Sequence, residues 1–401
     1  MTAVDGSTVR DPDTLRADMV RALRDRKAIA SEPVAAAFAA LPRHRFAPDA
    51  PLDLAYDIHR TVPVKRDEQG LETSVMSAAH LQAVMLEQAA VEPGMRVLEI
   101  GSGGYNAALI QELVGCDGAV TTVDIDRDIV DRARRCLDDT GYDRVRTVLA
   151  DGEAGVPDGA PYDRIIVTAA AWDIPPAWIG QLTEKGRLVV PLTLCGTTRS
   201  VAFDRDGEGL RSRSYCLARF VPIQGEGAAE ERKVALRDGI ALQTDDKRVA
   251  LEPTALDQAF DTPRLARWSG AAYDLPDELE LYLTLSLSRP ARLHAAEYLV
   301  EQGLVDASAL LGVPALVADG SIAYRTRREN ENTGGFESGV IAHGNRAETL
   351  ADEYVALLRR WARDHRRQGA ATFRYLPGNV PSPLPQGAVQ KRHGIVTVTW
   401  N

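Results

Sequence analysis

The chain has 401 residues, of which 45% are hydrophobic and 26% are charged. That balance is typical of folded globular proteins, and the length predicts one large domain or two ordinary ones. The formal net charge of −10 argues against a nucleic-acid-binding surface, because binding to phosphates depends on clustered Lys and Arg. The four cysteines form no Cys-x-x-Cys pair and the histidines form no His-x-x-x-His pair, which argues against a metal site or a disulfide framework.

The sequence also lacks the patterns of membrane and secreted proteins. The N-terminus has no apolar core of a signal peptide, and no apolar run approaches the length that spans a membrane. We therefore expect a cytoplasmic protein that contacts neither a membrane nor a nucleic acid.

The first 72 residues are predicted to form a helical cap on the domain that follows. Residues 12–42 carry apolar side chains at helical spacing, and Pro42 ends this segment. Residues 51–76 show little periodicity, and the charged run at 65–70 predicts a surface turn. A helix is then predicted from Ala78 to about Ala90.

An alternation of strands and helices begins near residue 96 and predicts an α/β fold. Predicted helices at 105–114, 127–139 and about 175–183 separate most of the predicted strands, which are 96–100, 119–124, 145–150, 162–168 and 186–192. Several strands are apolar on successive residues, as Ile165-Ile166-Val167 is, which indicates a parallel sheet covered by helices. Residues 198–224 predict antiparallel strands at one end of this sheet.

The pattern changes at Gly225-Glu226-Gly227, where we place a boundary between domains 1–225 and 226–401. The second domain has an α+β character. Leucines at every second position from 279 to 287 predict a one-sided strand, and residues 318–321 predict a hairpin turn. Residues 350–361 predict a helix, and residues 393–400 predict a final strand.

Residues 96–105 have the pattern of a buried strand, a glycine turn and the start of a helix. In an α/β sheet this arrangement forms a nucleotide-sized crevice at the strand ends. Asn106 stands where the dinucleotide fingerprint needs its third glycine, so that motif is excluded. The acid-x-Gly-x-Gly pattern instead resembles the first motif of S-adenosylmethionine (AdoMet) methyltransferases. The candidate cofactor residues of this turn are Glu99, Gly101, Ser102, Gly103 and Tyr105; an ordinary strand-to-helix turn is the alternative.

Two further strand ends carry acids. Asp124, followed by Ile125, ends the second strand about 20 residues after the glycine turn, where a carboxylate can accept both ribose hydroxyls of a nucleoside. Asp126 stands just before a helix and is expected to be an N-cap. Asp151 and Gly152 end the third strand, where a carboxylate could accept from an adenine amino group, although an aspartate there is more often a turn residue. Acids at three successive strand ends favour a cofactor site.

Longer motifs make the chain similar to protein-L-isoaspartate O-methyltransferases. They occur in order within about residues 30–224, at 41–46, 150–152, 160–170, 174–177, 181–182, 186–191 and 219–222. The resemblance implies a Rossmann-like class I methyltransferase fold, AdoMet as the cofactor, a carboxylate as the methyl acceptor and a methyl ester as the product. It implies no metal.

Segment 75–79 matches this family only in part. Ser77 falls on the family's serine that contacts the substrate carboxylate, but Ala78 and Ala79 stand where the family has Gln and Pro. Ser77 is therefore the candidate catalytic residue, as a hydrogen-bond donor to the acceptor. A carboxylate is already ionised at neutral pH, so no general base is required. Capping of the helix predicted from Ala78 is the alternative role of Ser77.

The chain also resembles one subgroup of this family. We expect the family's repair enzymes to end near the methyltransferase domain, whereas this chain continues to residue 401. With segments 65–68, 99–110 and 391–400, this length resembles the methyltransferases of FxLD-type lanthipeptide systems. That resemblance implies methylation of an Asp in a ribosomally made, modified peptide, then closure to aspartimide and opening to isoaspartate, with residues 226–401 recognising the peptide. The alternatives are isoaspartyl repair, tailoring of lasso peptides or graspetides, and a binding protein with a vestigial cofactor site.

Overall fold

The computed structural model describes residues 11–229, 232–246, 249–331, 334–378 and 387–400. The chain forms two compact units: Met1–Leu192 with Thr198–Ala228, and Thr193–Thr197 with Ala229–Asn401. The second unit thus takes in a short segment, 193–197, that the sequence-based division placed in the first domain. No helix within the described ranges is long and apolar enough to cross a membrane.

The first unit contains the predicted α/β alternation. Its helices are α1 Pro12–Asp25, α2 Glu32–Ala40, α3 Leu52–Ala55, α4 Ala79–Ala89, α5 Tyr105–Val114, α6 Arg127–Thr140 and α7 Pro176–Gln181. The strands that lie wholly or mainly in it are β1 Val62–Arg66, β2 Glu72–Met76, β3 Arg96–Ile100, β4 Ala119–Asp124, β5 Arg146–Leu149, β6 Tyr162–Val167, β7 Leu182–Leu194, β8 Thr197–Asp206 and β9 Gly209–Leu217.

The sheet of the first unit has a topological switch point at β3. Its strand order is β9-β8-β7-β6-β3-β4-β5, and β3 pairs in parallel with both β4 and β6. The chain leaves β3 through β4 and β5 on one side and returns to β6 on the other. Ligands of such sheets bind beyond the carboxyl ends of the strands at this point. The predicted Rossmann-like sheet, with antiparallel β8 and β9 after it, is confirmed.

The N-terminal segment forms two helices where the sequence predicted one helical stretch. Lys27 adopts a left-handed φ of 58°, which ends the first helix, and a proline lies in the first turn of α2. Asp11 caps α1 by accepting a hydrogen bond from the amide of Thr14. Buried Leu15, Met19 and other apolar residues of both helices join the core under the sheet.

The second unit contains mainly antiparallel strands. They are β10 Arg232–Ala235, β11 Ile240–Thr244, β12 Leu265–Ala272, β13 Pro290–Ala295, β14 Val313–Ala318, β15 Ser321–Asn330, β16 Gly335–His343, β17 Thr372–Pro377, β18 Ala388–Gln390 and β19 Gly394–Thr399. Its helices are α8 Pro253–Ala259, α9 Pro276–Ser286, α10 Glu297–Glu301 and α11 Ala347–Asp364. One sheet has the order β10-β11-β13-β14-β15-β16-β12, and β19 pairs with both β17 and β18.

One prediction for this unit is wrong. The leucines at every second position from 279 to 287 were expected in a strand, but those from 279 to 285 lie in α9 and Leu287 is its C-cap. Leu279, Leu281 and Leu283 are each 0% exposed, and Tyr282 between them is 2% exposed. A helix buried on nearly all sides can carry apolar residues at any spacing, so alternation does not identify a strand there. The hairpin turn at 318–321 is confirmed, with Ala318 paired to Ser321.

Candidate active site

The glycine turn after β3 is shaped by contacts that only glycine permits. Gly101 has a φ of +97°, and a Cβ there would lie 2.5 Å from the Thr168 hydroxyl oxygen. That hydroxyl donates to the carbonyl oxygens of Ile100 and Gly101, at 3.1 and 3.0 Å. A Cβ on Gly103, in contrast, would meet no protein atom within 4 Å. The turn is therefore tight against β6 and open above Gly103.

A cleft lies at the carboxyl ends of β3 and β4, entirely within the first unit. Its space, open mouth included, is about 690 Å³. Six of the predicted site residues line it: Gly101, Ser102, Gly103, Asp124, Ile125 and Gly152. The structure does not place Ser77, Glu99, Tyr105 or Asp151 in its lining.

Asp124 holds the floor of the cleft together. Its two carboxylate oxygens accept hydrogen bonds from the backbone amides of Ser102, at 2.8 Å, and Asp126, at 2.9 Å. Burial raises the pKa of Asp124, while these amide donors oppose the rise. Each carboxylate oxygen has a second lone pair, so the group can still accept from a ligand. Asp126 is the N-cap of α6, as predicted.

Glu99 is buried beneath the turn and does not face the cleft. It is 0% exposed, and its oxygens accept from the Asn106 amide group, at 2.8 Å, and the Thr122 hydroxyl, at 2.6 Å. Burial raises the pKa of Glu99 to about 7, against the effect of these two donors. Its carboxylate ties the start of α5 to β4, so its predicted contact with the cofactor would have to be indirect.

Tyr105 and Asp151 also have partners within the protein. Tyr105 is 0% exposed, and its ring packs against Phe38 and Phe46, with centroid distances of 6.3 and 5.4 Å. Asp151 accepts from the amides of Glu153, at 2.9 Å, and Glu226, at 2.8 Å. The alternative role of Asp151 as a turn residue is thus present, and its carboxylate also holds residues 225–227 next to the cleft.

Ser77 lies in the connection between β2 and α4 and is half-buried. The alternative role predicted for it is wrong, because Ala78 is the N-cap of α4 and no side chain caps that helix. The backbone carbonyl of Ser77 accepts a hydrogen bond from Arg43 at 2.6 Å.

Sequence reasoning missed about two thirds of the residues that line the cleft. Its further residues come from β2, the end of β6 and the segment after β9, and they include Ser74, Val75, Ala169, Val221, Pro222 and Gln224. Val221-Pro222 belonged to a recognised motif, which was the available signal for assigning it to the site. Lys65 of β1 bonds Asp126 and Asp128, at 2.6 and 2.8 Å, and so joins the β1–β2 hairpin to the start of α6.

The residues of the cleft fit AdoMet. The open space above Gly103 lets a ligand approach the backbone closely. The free lone pairs of Asp124 suit ribose hydroxyls, and Ile125, which is 41% exposed at the lining, suits the face of a base. When bound, AdoMet supplies an electrophilic methyl group on a sulfonium centre. No group of three or more metal-ligating side chains occurs within the residues that the structure describes.

Comparisons with known proteins agree on one family. The family model described as Protein-L-isoaspartate(D-aspartate) O-methyltransferase matches residues 14–228. The chain is 39% identical to the protein-L-isoaspartate O-methyltransferase of Methanopyrus kandleri over 223 residues, which are 54% of this chain and 94% of that protein. It is 40% identical to the Hyperthermus butylicus protein of the same name over 209 residues, 49% of this chain and 83% of that protein.

A solved structure titled protein-L-isoaspartate O-methyltransferase resembles the fold over a longer range. The likeness covers 96% of this chain and 99% of that chain, with a TM-score of 0.52 and 22% sequence identity. A protein of that name therefore has a chain that matches both units in fold. The Methanopyrus kandleri and Hyperthermus butylicus relatives are covered over 94% and 83% of their own length by about half of this chain, so for them the expected end near the methyltransferase domain is confirmed. The chain of the solved structure resembles both units, so the length of this chain does not by itself indicate a separate subgroup.

Proposed function

Because the chain belongs to the protein-L-isoaspartate O-methyltransferase family of AdoMet-dependent carboxyl methyltransferases, we propose that it methylates the free carboxylate of an isoaspartyl residue in a peptide or protein. The observation that carries this proposal is the family match over residues 14–228, which includes every residue of the cleft lining. The family also favours an enzyme over a binding protein with a vestigial cofactor site.

For this reaction the protein must position the acceptor carboxylate and the methyl group, and neither needs to be activated by a general base. The acceptor carboxylate is ionised at neutral pH and is itself the nucleophile. The chain must hold one of its oxygens in line with the methyl group and exclude water. In our proposal Ser77 donates a hydrogen bond to the other oxygen and thereby fixes its orientation. The methyl ester is then attacked by the following backbone nitrogen, which expels methanol and leaves a succinimide.

The proposed cofactor contacts follow from the positions of the residues. Gly101, Ser102 and Gly103 present backbone to the methionine part, and Asp124 accepts from the ribose. Ile125 packs on the adenine ring, whose amino group is assigned to the strand end at Asp151 and Gly152. Glu99 and Tyr105 act from beneath by fixing the start of α5.

A second candidate is the tailoring of an Asp in a ribosomally made peptide, of lanthipeptide, lasso or graspetide type. One observation favours it: Ala78 and Ala79 stand where the family has Gln and Pro, directly after the proposed substrate-contacting serine. A changed residue pair at that position suits an acceptor other than a general isoaspartyl site. In this alternative residues 226–401, which include most of the second unit, recognise the peptide.

Three peptides that differ at one residue separate the two candidates. They carry isoaspartate, aspartate or asparagine at the same position, and the full-length protein is incubated with each and with AdoMet. Mass spectrometry should detect one added methyl group on the isoaspartyl peptide, followed by the loss of methanol. Methylation of the aspartyl peptide alone would overturn the repair assignment and support tailoring. A base-stable methyl group on nitrogen would refute both.

A further inference from the structure

Arg43 is a buried cation that the mechanism above does not use. It follows Pro42 in the first unit, and its side chain is 0% exposed. Its guanidinium donates to the carbonyl of Ala55 at 2.7 Å, to the side-chain oxygen of Gln82 at 2.6 Å and to the carbonyl of Ser77 at 2.6 Å. The same group lies 4.8 Å from the centre of the Tyr105 ring.

All of these partners are neutral. Among the described residues no carboxylate pairs with Arg43, and the groups that act on its charge are the phenols of Tyr105 and Tyr56. Burial lowers the pKa of Arg43, but the ordinary value of arginine is so far above neutrality that the group stays charged. Buried arginines are almost always paired, because an unpaired buried ion is costly. The missing counter-ion is therefore expected from outside the described residues, and a bound anion can supply it.

We propose that Arg43 is a positioning residue for the acceptor carboxylate. It fixes the carbonyl of Ser77 by a direct hydrogen bond, and its unpaired charge attracts an anion to the adjacent serine hydroxyl. The substrate carboxylate is that anion, so Arg43 favours carboxylate acceptors over amides without touching them. This inference rests on the proposed carboxyl methylation and on the role given to Ser77.

Gln82→Glu separates the charge of Arg43 from its hydrogen bonds. The side-chain oxygen of Gln82 already accepts from Arg43, and the residue is 6% exposed. A glutamate of the same shape keeps that bond and gives the guanidinium a counter-ion inside the chain. If Arg43 only pins Ala55, Gln82 and Ser77 together, this variant should keep full activity, because a charge-assisted bond is stronger than a neutral one.

The inference predicts that Gln82→Glu lowers kcat/KM for the carboxylate peptide by about tenfold or more. A nearby cation lowers the pKa of a carboxyl group by about one to three units, and each unit corresponds to a tenfold preference for the ionised group. The decrease in kcat/KM should come mainly from a higher KM. Binding of the otherwise identical peptide amide should change less than twofold, as should AdoMet binding. Gln302→Glu adds the same charge at an exposed position of the second unit and should change nothing.

A second measurement does not depend on any substrate. In the variant Ser77→Cys the introduced thiol reports the local field, because a nearby cation favours the thiolate. Its pKa, read from the pH dependence of alkylation by peptide mapping, should be about one unit lower or more than in the double variant with Gln82→Glu. Peptide mapping separates this thiol from the four native cysteines, of which Cys116 is exposed.

The outcomes distinguish this inference from the proposed function. Equal thiol pKa values in the single and double variants would overturn the role of the Arg43 charge, as would full activity of Gln82→Glu on a carboxylate peptide. If the wild type methylates none of the peptides, the proposed function fails, and the thiol measurement still decides whether the charge acts at Ser77.

Discussion

Substitution of Gly103 by valine tests whether the glycine turn leaves room for the cofactor. A Cβ on Gly103 meets no protein atom within 4 Å, and its φ lies outside the left-handed region. A valine there should fold normally and project its methyl groups into the cleft that Gly103 lines. Gly101 offers no such test, because a Cβ there would press on Thr168 and disturb the turn itself.

The expected effect follows from this geometry. Placing methyl groups in space that a well-fitted ligand needs costs about 1–3 kcal/mol, which corresponds to about 5- to 150-fold weaker AdoMet binding. The free energy of unfolding should change by less than about 1 kcal/mol, because replacing a glycine in an ordinary backbone conformation is slightly stabilising. The Gly103→Val variant should therefore bind AdoMet more weakly and keep nearly the same free energy of unfolding.

Calorimetric titration with AdoMet and a parallel thermal melt measure both quantities. Gly180→Val is the matched control, since Gly180 lies in α7, is exposed and also has no atom within 4 Å of a built Cβ. Unchanged affinity in a folded Gly103→Val variant would refute the placement of the cofactor against this turn. A similar loss in the Gly180→Val control would show that the effect is general.

Three further predictions concern single side chains of the first unit. Asp124→Asn should weaken AdoMet binding by about 1.5–3 kcal/mol, measured by calorimetry beside the exposed control Asp138→Asn; equal affinities would remove Asp124 from the cofactor site. Ser77→Ala should lower the methylation rate by about 10²–10³ with unchanged AdoMet affinity and melting, because Ser77 does not cap α4; full activity would refute its role. The free energy of unfolding should fall between about pH 4.5 and 7, because the folded pKa of Glu99 is raised from 4.5 to about 7 and the folded chain holds the proton longer. Glu99→Gln should flatten this fall by about 3 kcal/mol in denaturant titrations at pH 5 and 8, and a slope equal to that of the wild type would contradict it.

The sequence predicted the central strands well because their burial is uniform. β3 and β4 were predicted at their observed bounds, since each carries apolar or β-branched residues at most positions and is buried over most of its length. The β1–β2 hairpin was missed and its residues were described as irregular. Its pairing is shifted between Pro63 and Lys65 and again between Lys65 and Arg66. Such irregularities break the alternation on which strand prediction depends.

The segment 224–227 shows why the site was only partly predictable. The change of pattern at Gly225-Glu226-Gly227 was interpreted as a domain boundary. In the structure Gly225 has a φ of +78°, and a Cβ there would lie 2.2 Å from an Asp151 carboxylate oxygen and 2.7 Å from Ile125. This glycine allows the chain to pass closely over the third strand end. Contacts between residues this far apart in sequence leave no local pattern, so single-sequence reasoning cannot find them.

The acids at the strand ends already accept hydrogen bonds from groups of the protein itself. Asp124 and Asp151 each accept from two backbone amides, and Glu99 accepts from two side chains. Asp124 and Asp151 therefore each fix a turn by accepting from backbone amides that would otherwise lack a partner, and Glu99 joins the start of α5 to β4. In this chain, the acids that the sequence motif assigns to the cofactor site also stabilise the local structure around it. In our proposal, cofactor affinity then depends on the remaining lone pairs of Asp124 and on the backbone that is accessible at Gly103. Variants of Glu99 should accordingly act through stability and those of Gly103 through binding, although both residues belong to one motif.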